Sequence, residues 1–153
     1  PYIKAARVSI HYPNKIRVEI IEREPIAYLK TDPMIFLDKE GYVLPSEENI
    51  DYINLPILTN VNPDKNLYPI GKKVISEKIA KCISLLSTIN NQHKDLYENI
   101  SEIKMSSNDE LEIILSDEPT HIFLGKDNIN LRVNHLVEFS KLLKPRNVSH
   151  GQY

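Results

Sequence analysis

The chain opens with two stretches in which apolar and polar side chains alternate, Ala6-Arg7-Val8-Ser9-Ile10-His11 and Ile16-Arg17-Val18-Glu19-Ile20. Alternation with period two sends successive side chains to opposite faces, so each stretch predicts a half-buried strand. Tyr12-Pro13-Asn14-Lys15 supplies turn residues between them. The pair therefore predicts a hairpin with one wet and one apolar face. Two strands cannot close a core alone, so the apolar face needs a cover from elsewhere. Glu22-Arg23-Glu24-Pro25 then breaks the alternation. Pro25 lacks an amide donor and keeps Glu24 extended, which marks Glu22, Arg23 and Pro25 as a junction.

A new strand begins at Ile26-Ala27-Tyr28-Leu29. Met34–Leu37 and Tyr42–Leu44 flank Asp38-Lys39-Glu40-Gly41, a polar link whose final glycine suits a hairpin turn that needs positive φ. Leu55–Thr59 predicts a short strand, with Pro56 placing it at a sheet edge or at the strand's start. Asn60–Gly71, with Pro63 and Pro69, predicts a loop. From about Lys72 to Asn90 the apolar residues Ile75, Ile79, Cys82, Leu86 and Ile89 recur in steps of four and three, the stripe of an amphipathic helix. Ile100–Met105, Leu111–Leu115 and His121–Leu124, separated by Ser106–Asp109 and Asp117–Pro119, predict an antiparallel meander. A second helix is predicted over Ile129–Leu143, with a stripe of Val133, Leu136, Phe139 and Leu143 and a stop at Lys144-Pro145. Hairpins dominate and no βαβ repeat is required. The expected class is α+β, a mostly antiparallel sheet with two packed helices.

Composition changes this picture little but removes several functions. At 153 residues, 41% hydrophobic and 26% charged, the chain suits one domain, or one domain and a piece of another. Its 19 basic and 21 acidic residues give a net charge of −2. That lacks the basic excess of a nucleic-acid binder or a polybasic membrane-surface protein. No run of about 18 apolar residues is present. The single cysteine, Cys82, cannot form an internal disulfide and falls on the helix stripe as a small hydrophobe.

Candidate chemistry is sparse. His11, His93, His121, His135 and His150 never recur at the three- or four-residue spacing of a helical metal pair, and none joins Cys82 in a ligand motif. The acidic pairs Glu47-Glu48, Asp109-Glu110 and Asp117-Glu118 lie in predicted turns, where both carboxylates point to water. Gly71-Lys72 and Gly125-Lys126 lack the remainder of a phosphate loop, and four glycines are too few for a nucleotide cradle. Asn99-Ile100-Ser101 and Asn147-Val148-Ser149 match the glycosylation pattern as a chain of this composition does by chance. The residues thus predict no catalytic centre, metal or cofactor.

Several motifs, taken in order, resemble the FtsQ/DivIB family of bacterial cell-division proteins. Pro1–Ser9, Tyr12–Val18 and Glu22-Arg23-Glu24-Pro25-Ile26-Ala27 are similar to the end of that family's POTRA domain and the junction after it. The resemblance continues in Phe36–Leu44, in Leu55-Pro56-Ile57-Leu58-Thr59 and in His121-Ile122-Phe123-Leu124-Gly125, and covers nearly the whole chain. Ser149-His150-Gly151-Gln152-Tyr153 resembles the start of the family's last long strand. The resemblance implies that residues 1–25 are the C-terminal remnant of a POTRA domain and residues 26–153 a β domain without its last strand. It further implies a single-pass inner-membrane protein whose extracytoplasmic part, without catalytic residues, binds division proteins of the FtsB/DivIC and FtsL kind and helps control septal wall synthesis. The implied binding mode is strand addition to the sheet, which assigns partner binding to Ser149, His150, Gly151, Gln152 and Tyr153. An exposed sheet edge is expected where the further strand would pair. Two other readings are a POTRA-containing outer-membrane assembly or secretion protein, which repeats its unit, and a small-ligand-binding α+β domain, which needs a deep polar pocket.

Overall fold

The computed structural model describes residues 2–46, 54–117 and 119–143, with the side chain of Leu143 left out. The alternating stretches form β1 (Ile3–His11) and β2 (Lys15–Glu22), an antiparallel hairpin. Val8 stands opposite Val18 and Ile10 opposite Ile16, while Arg7 faces Glu19 and Ser9 faces Arg17. One face is therefore apolar and the other charged, as the alternation predicts. No described residue buries the apolar face: Val8 is 67% exposed and Ile10 80%.

The rest of the chain builds one seven-stranded sheet. Its strands are β3 (Pro25–Leu29), β4 (Ile35–Asp38), β5 (Val43–Leu44), β6 (Ile57–Thr59), β7 (Ile100–Met105), β8 (Leu111–Leu115) and β9 (His121–Gly125), in spatial order β5-β4-β3-β6-β7-β8-β9. The flanking pairs are antiparallel, but β6 runs parallel to both β3 and β7. The passage from β6 through α1 (Glu77–Gln92) and α2 (Lys94–Glu98) to β7 is thus a βαβ connection that the alternation did not require. The class remains α+β. Pro56 stands immediately before β6, at the start of a strand in mid-sheet rather than at an edge. Its carbonyl, the group it still has, accepts the Tyr28 N–H at 3.1 Å.

The core lies between the sheet and the helices. Leu29, Leu37, Leu58, Ile103, Leu111 and Ile113 pack in one cluster with Ile79, Cys82, Ile83, Leu86 and Ile89 of α1. Burying each large aliphatic side chain contributes about 1.5–3 kcal/mol, so this cluster is the main stabilising contact. The phenol of Tyr97 on α2 adds a buried hydrogen bond, donating to the Ile26 carbonyl at 2.8 Å. The β4–β5 turn is as predicted: Gly41 has φ +81°.

Both helices correct the sequence reading. Helix α1 starts at Glu77, capped by Ser76, rather than near Lys72. Residues 72–75 are committed elsewhere. The Lys72 carbonyl accepts the Val43 N–H, and the amides of Val74 and Ile75 donate to the carbonyls of Gly41 and Leu67. Ile75 is accordingly exposed, while Ile83 and Leu85 join the buried face. The second long helix, α3 (Ile129–Leu143), has the predicted span but a rotated stripe. Val133 and Val137 are buried, and Phe139 is 58% exposed. Lys144-Pro145, Glu47-Glu48 and the Asn147 and Ser149–Tyr153 motifs lie outside the described residues.

Candidate interaction surfaces

The two rims of the large sheet differ. At β5 the outer rim is covered by chain: Gly71 donates its N–H to the Val43 carbonyl and Lys72 accepts from the Val43 amide. At β9 no described strand or loop pairs with the outer rim. The orientation of the free groups follows from the ladder. Leu115 N–H donates to the Thr120 carbonyl, and the register runs Ile114–His121, Ile113–Ile122, Glu112–Phe123. Hydrogen-bonded and non-bonded pairs alternate in an antiparallel ladder. His121 and Phe123 therefore turn their N–H and C=O groups away from β8, toward the open rim. Such a row of unpaired groups is a template for another strand.

Beside this rim lies the sheet face opposite the helices. Thr59, Glu102, Lys104, Glu112, His121 and Phe123 share it by strand alternation. Most of its polar groups are internally paired. The Thr59 hydroxyl donates to Glu102, Lys104 Nζ stands 3.6 Å from Glu102 Oε1, and His121 Nδ1 stands 2.5 Å from Glu112 Oε1. Ile57 and Ile114 also share the face, and Phe123 on it is 75% exposed.

The predicted junction is a dense polar cluster. Arg23 Nη1 donates to Asp38 Oδ2 at 2.6 Å and to Glu40 Oε2 at 2.9 Å, and its guanidinium carbon lies 3.6 Å from the centre of the Tyr42 ring. Hydrogen bonding to Asp38 holds the Arg23 pKa above its ordinary value against the opposing effect of burial. Asp38, 3% exposed, also accepts the amides of Glu40 and Tyr42 through Oδ1 at 2.9 and 2.8 Å. Hydrogen bonds from Lys4 and Arg23 hold the Glu40 carboxyl below the usual carboxylate range. Glu22 is exposed at the end of β2, and Pro25 opens β3 opposite Asp38. The sequence marks this junction by the break in alternation and by Pro25. The partners of Arg23 come from the Asp38–Gly41 hairpin link, which the sequence predicts as a turn without any sign that it meets Arg23.

The remaining candidate chemistry stays dispersed. Burial pushes the Cys82 thiol up to about 12, so it is no nucleophile at neutral pH. His93 Nε2 lies 3.2 Å from Asn134 Oδ1, linking α1 to α3, and His11 and His135 are exposed. Among the described residues no group of three His, Cys, Asp or Glu side chains could hold a metal, and no helix is long and apolar enough to cross a membrane. A groove of about 810 Å³ lies between α1 and the start of α3 and is lined by Lys81, Leu85, Asp109, Asn128 and Leu131.

Comparison with known proteins agrees with this picture. A family model described as FtsQ/DivIB, C-terminal related, matches residues 24–150. The cell division protein FtsQ of Syntrophotalea carbinolica is 25% identical over 146 residues, covering 95% of this chain and 51% of that protein. The cell division protein DivIB of Clostridium tetani is 25% identical over 146 residues, covering 94% and 50%. FtsQ of Myxococcus fulvus is 21% identical over 132 residues, covering 86% and 46%. The chain thus spans about half the length of the curated relatives it matches, and they are named as cell-division proteins, not as enzymes. With most of its length under the family model, the chain belongs to the FtsQ/DivIB family of cell-division proteins.

Proposed function

We propose that this chain is the extracytoplasmic part of a non-enzymatic divisome scaffold, anchored in the inner membrane by a single span, which binds division proteins of the FtsB/DivIC and FtsL kind and thereby helps control septal wall synthesis. The observation that carries the reading is the outer rim of β9, where His121 and Phe123 aim backbone groups away from β8 and no other described strand pairs with them. A further strand starting at Ser149–Tyr153 adds to that rim, and the partner's strand adds to it in turn. Main-chain hydrogen bonds then supply affinity, and alternate side chains supply selectivity. Residues 26–153 form the β domain in this reading. Residues 1–25 close a POTRA domain whose remainder covers the apolar face of the hairpin, in keeping with the exposure of Val8, Ile10 and Ile16.

The test is binding of the whole extracytoplasmic region to a soluble coiled-coil partner pair of the FtsB/DivIC and FtsL kind, measured by calorimetry. Saturable one-to-one binding, at least tenfold weaker for residues 1–153 alone, is expected. A folded extracytoplasmic region that does not bind the pair refutes the scaffold reading. Equal affinity of the two lengths would place the site within residues 1–153 and refute the strand after Ser149 as its location.

A further inference from the structure

We propose that the cluster around Arg23 and Glu40 is a latch that fixes the angle at which the β1–β2 hairpin stands on the seven-stranded sheet. The hairpin is almost wholly solvent-exposed from Lys4 to Glu22, apart from a half-buried Ala5. Its covalent link to the sheet is short, Arg23-Glu24 between β2 and β3. A single strand-to-strand link of that kind acts as a hinge unless other contacts restrain it.

The restraints come from both strands of the hairpin and converge on one turn. From the β1 side, the Tyr2 hydroxyl donates to the Pro45 carbonyl and Lys4 Nζ donates to Glu40 Oε1 at 2.9 Å. From the β2 side, Arg23 donates to Glu40 Oε2 and Asp38 Oδ2 and stacks on Tyr42. The Arg23 amide also donates to the Tyr2 carbonyl, which ties the two sides together. Glu40 is the shared node: one carboxylate oxygen holds β1 and the other holds the end of β2.

The two layers of the latch differ in exposure. The Arg23 and Asp38 side chains are 11% and 4% exposed, while Lys4 and Glu40 are 36% and 38% exposed. Solvent and salt screen the outer pair much more than the inner one. The outer layer can therefore open while the inner ion pair and the sheet stay intact. Opening leaves the Tyr2–Pro45 and Arg23–Asp38 contacts as the remaining restraints and widens the range through which the hairpin moves, and with it the apolar face of Val8, Ile10, Ile16 and Val18. This extends the reading of residues 1–25 as the end of a separate domain, because the latch then sets the angle between two domains. The geometry itself does not depend on any partner.

Spin labels on cysteines at Asn14, in the hairpin turn, and Asp95, on α2, report the angle by pulsed dipolar spectroscopy; both sites are exposed and Cys82 is buried. The latched protein is expected to give one narrow distance distribution at low salt. Glu40→Gln, which sits on the exposed layer and leaves the fold intact by circular dichroism, is expected to broaden it at least twofold, as is 1 M NaCl. Arg17→Gln, which breaks the Arg17–Glu19 pair within the hairpin, is the control expected to leave it narrow. A distribution that stays narrow in both Glu40→Gln and high salt overturns the latch. Equal broadening by Arg17→Gln overturns it too, since the hairpin itself would then be the flexible part. Because the readout involves no partner, failure of partner binding leaves this result untouched.

Discussion

Replacing Asp38 with alanine should destabilise the seven-stranded sheet and its helices more than any surface charge change. The buried carboxylate satisfies three donors: the amides of Glu40 and Tyr42 and the guanidinium of Arg23. Alanine leaves both amides without that acceptor and leaves Arg23 Nη1 with Glu40 as its carboxylate partner. A stranded buried polar group costs about 1–3 kcal/mol, and breaking a buried ion pair by removing one partner costs about 3–5 kcal/mol. The retained Glu40 contact reduces the second cost, so the two do not simply add. The expected loss is about 3–5 kcal/mol, a large share of the about 5–15 kcal/mol that holds a domain folded. Asparagine keeps Oδ1 for the two amides but places an NH2 group, which cannot accept from Arg23, where Oδ2 stands, so Asp38→Asn should lose about half as much. Urea unfolding followed by the helical signal gives the free energies. An Arg23→Met, Asp38→Ala cycle should show a coupling of about 1–3 kcal/mol, because once the guanidinium is gone the missing carboxylate strands fewer groups. A loss below about 1 kcal/mol for Asp38→Ala, or a strictly additive double variant, would refute the placement of Asp38 as the centre of the junction.

Three further outcomes follow from the same structure. Phe123→Thr should change the urea stability of residues 1–153 by less than about 0.5 kcal/mol, because the ring is 75% exposed, but cost about 1.5–3 kcal/mol in a chain extended past Tyr153 that covers it. Cys82 should resist thiol reagents at pH 8 in the folded protein and react at the rate of unfolding, since its buried thiol is pushed up to about 12. The folded Glu40 carboxyl is depressed by Lys4 and Arg23, with Asp38 the neighbouring acid, so its contribution is present at neutral pH and lost as pH falls through the acid range below ordinary carboxylate values. Glu40→Gln should remove that acid limb from a pH series of urea midpoints.

What the sequence revealed depended on how local the cause was. The β1–β2 hairpin, the Gly41 turn and the β7–β9 meander are written in short-range alternation and turn residues, and they formed where expected. The start of α1 was hidden because Lys72–Ile75 is diverted by hydrogen bonds to Gly41, Val43 and Leu67, and only the assembled sheet supplies those groups. The stripe of α3 was misread because Phe139 is apolar by type yet lies on the outward side, while Val137 packs inward. The three residues of β6 could not announce two parallel neighbours, since Tyr28 and Glu102 lie far away in the chain. Likewise Arg23 was marked by the proline after it, but its function in the cluster rests on Asp38, Glu40 and Tyr42 arriving from another hairpin. The open rim of β9 needed the register of β8 and β9 before its free groups could be assigned.

Amide hydrogen exchange on the whole extracytoplasmic region, with and without a soluble FtsB/DivIC and FtsL-type pair, tests the scaffold account most directly. In residues 1–153 alone, the His121 and Phe123 amides should exchange fast, because they face away from β8 and no other described strand pairs with them. In the longer region they should be protected by the strand that follows Ser149, and adding the partner should protect the outer amides of that strand. Partner binding that leaves exchange along this rim unchanged would contradict strand addition as the mode of binding.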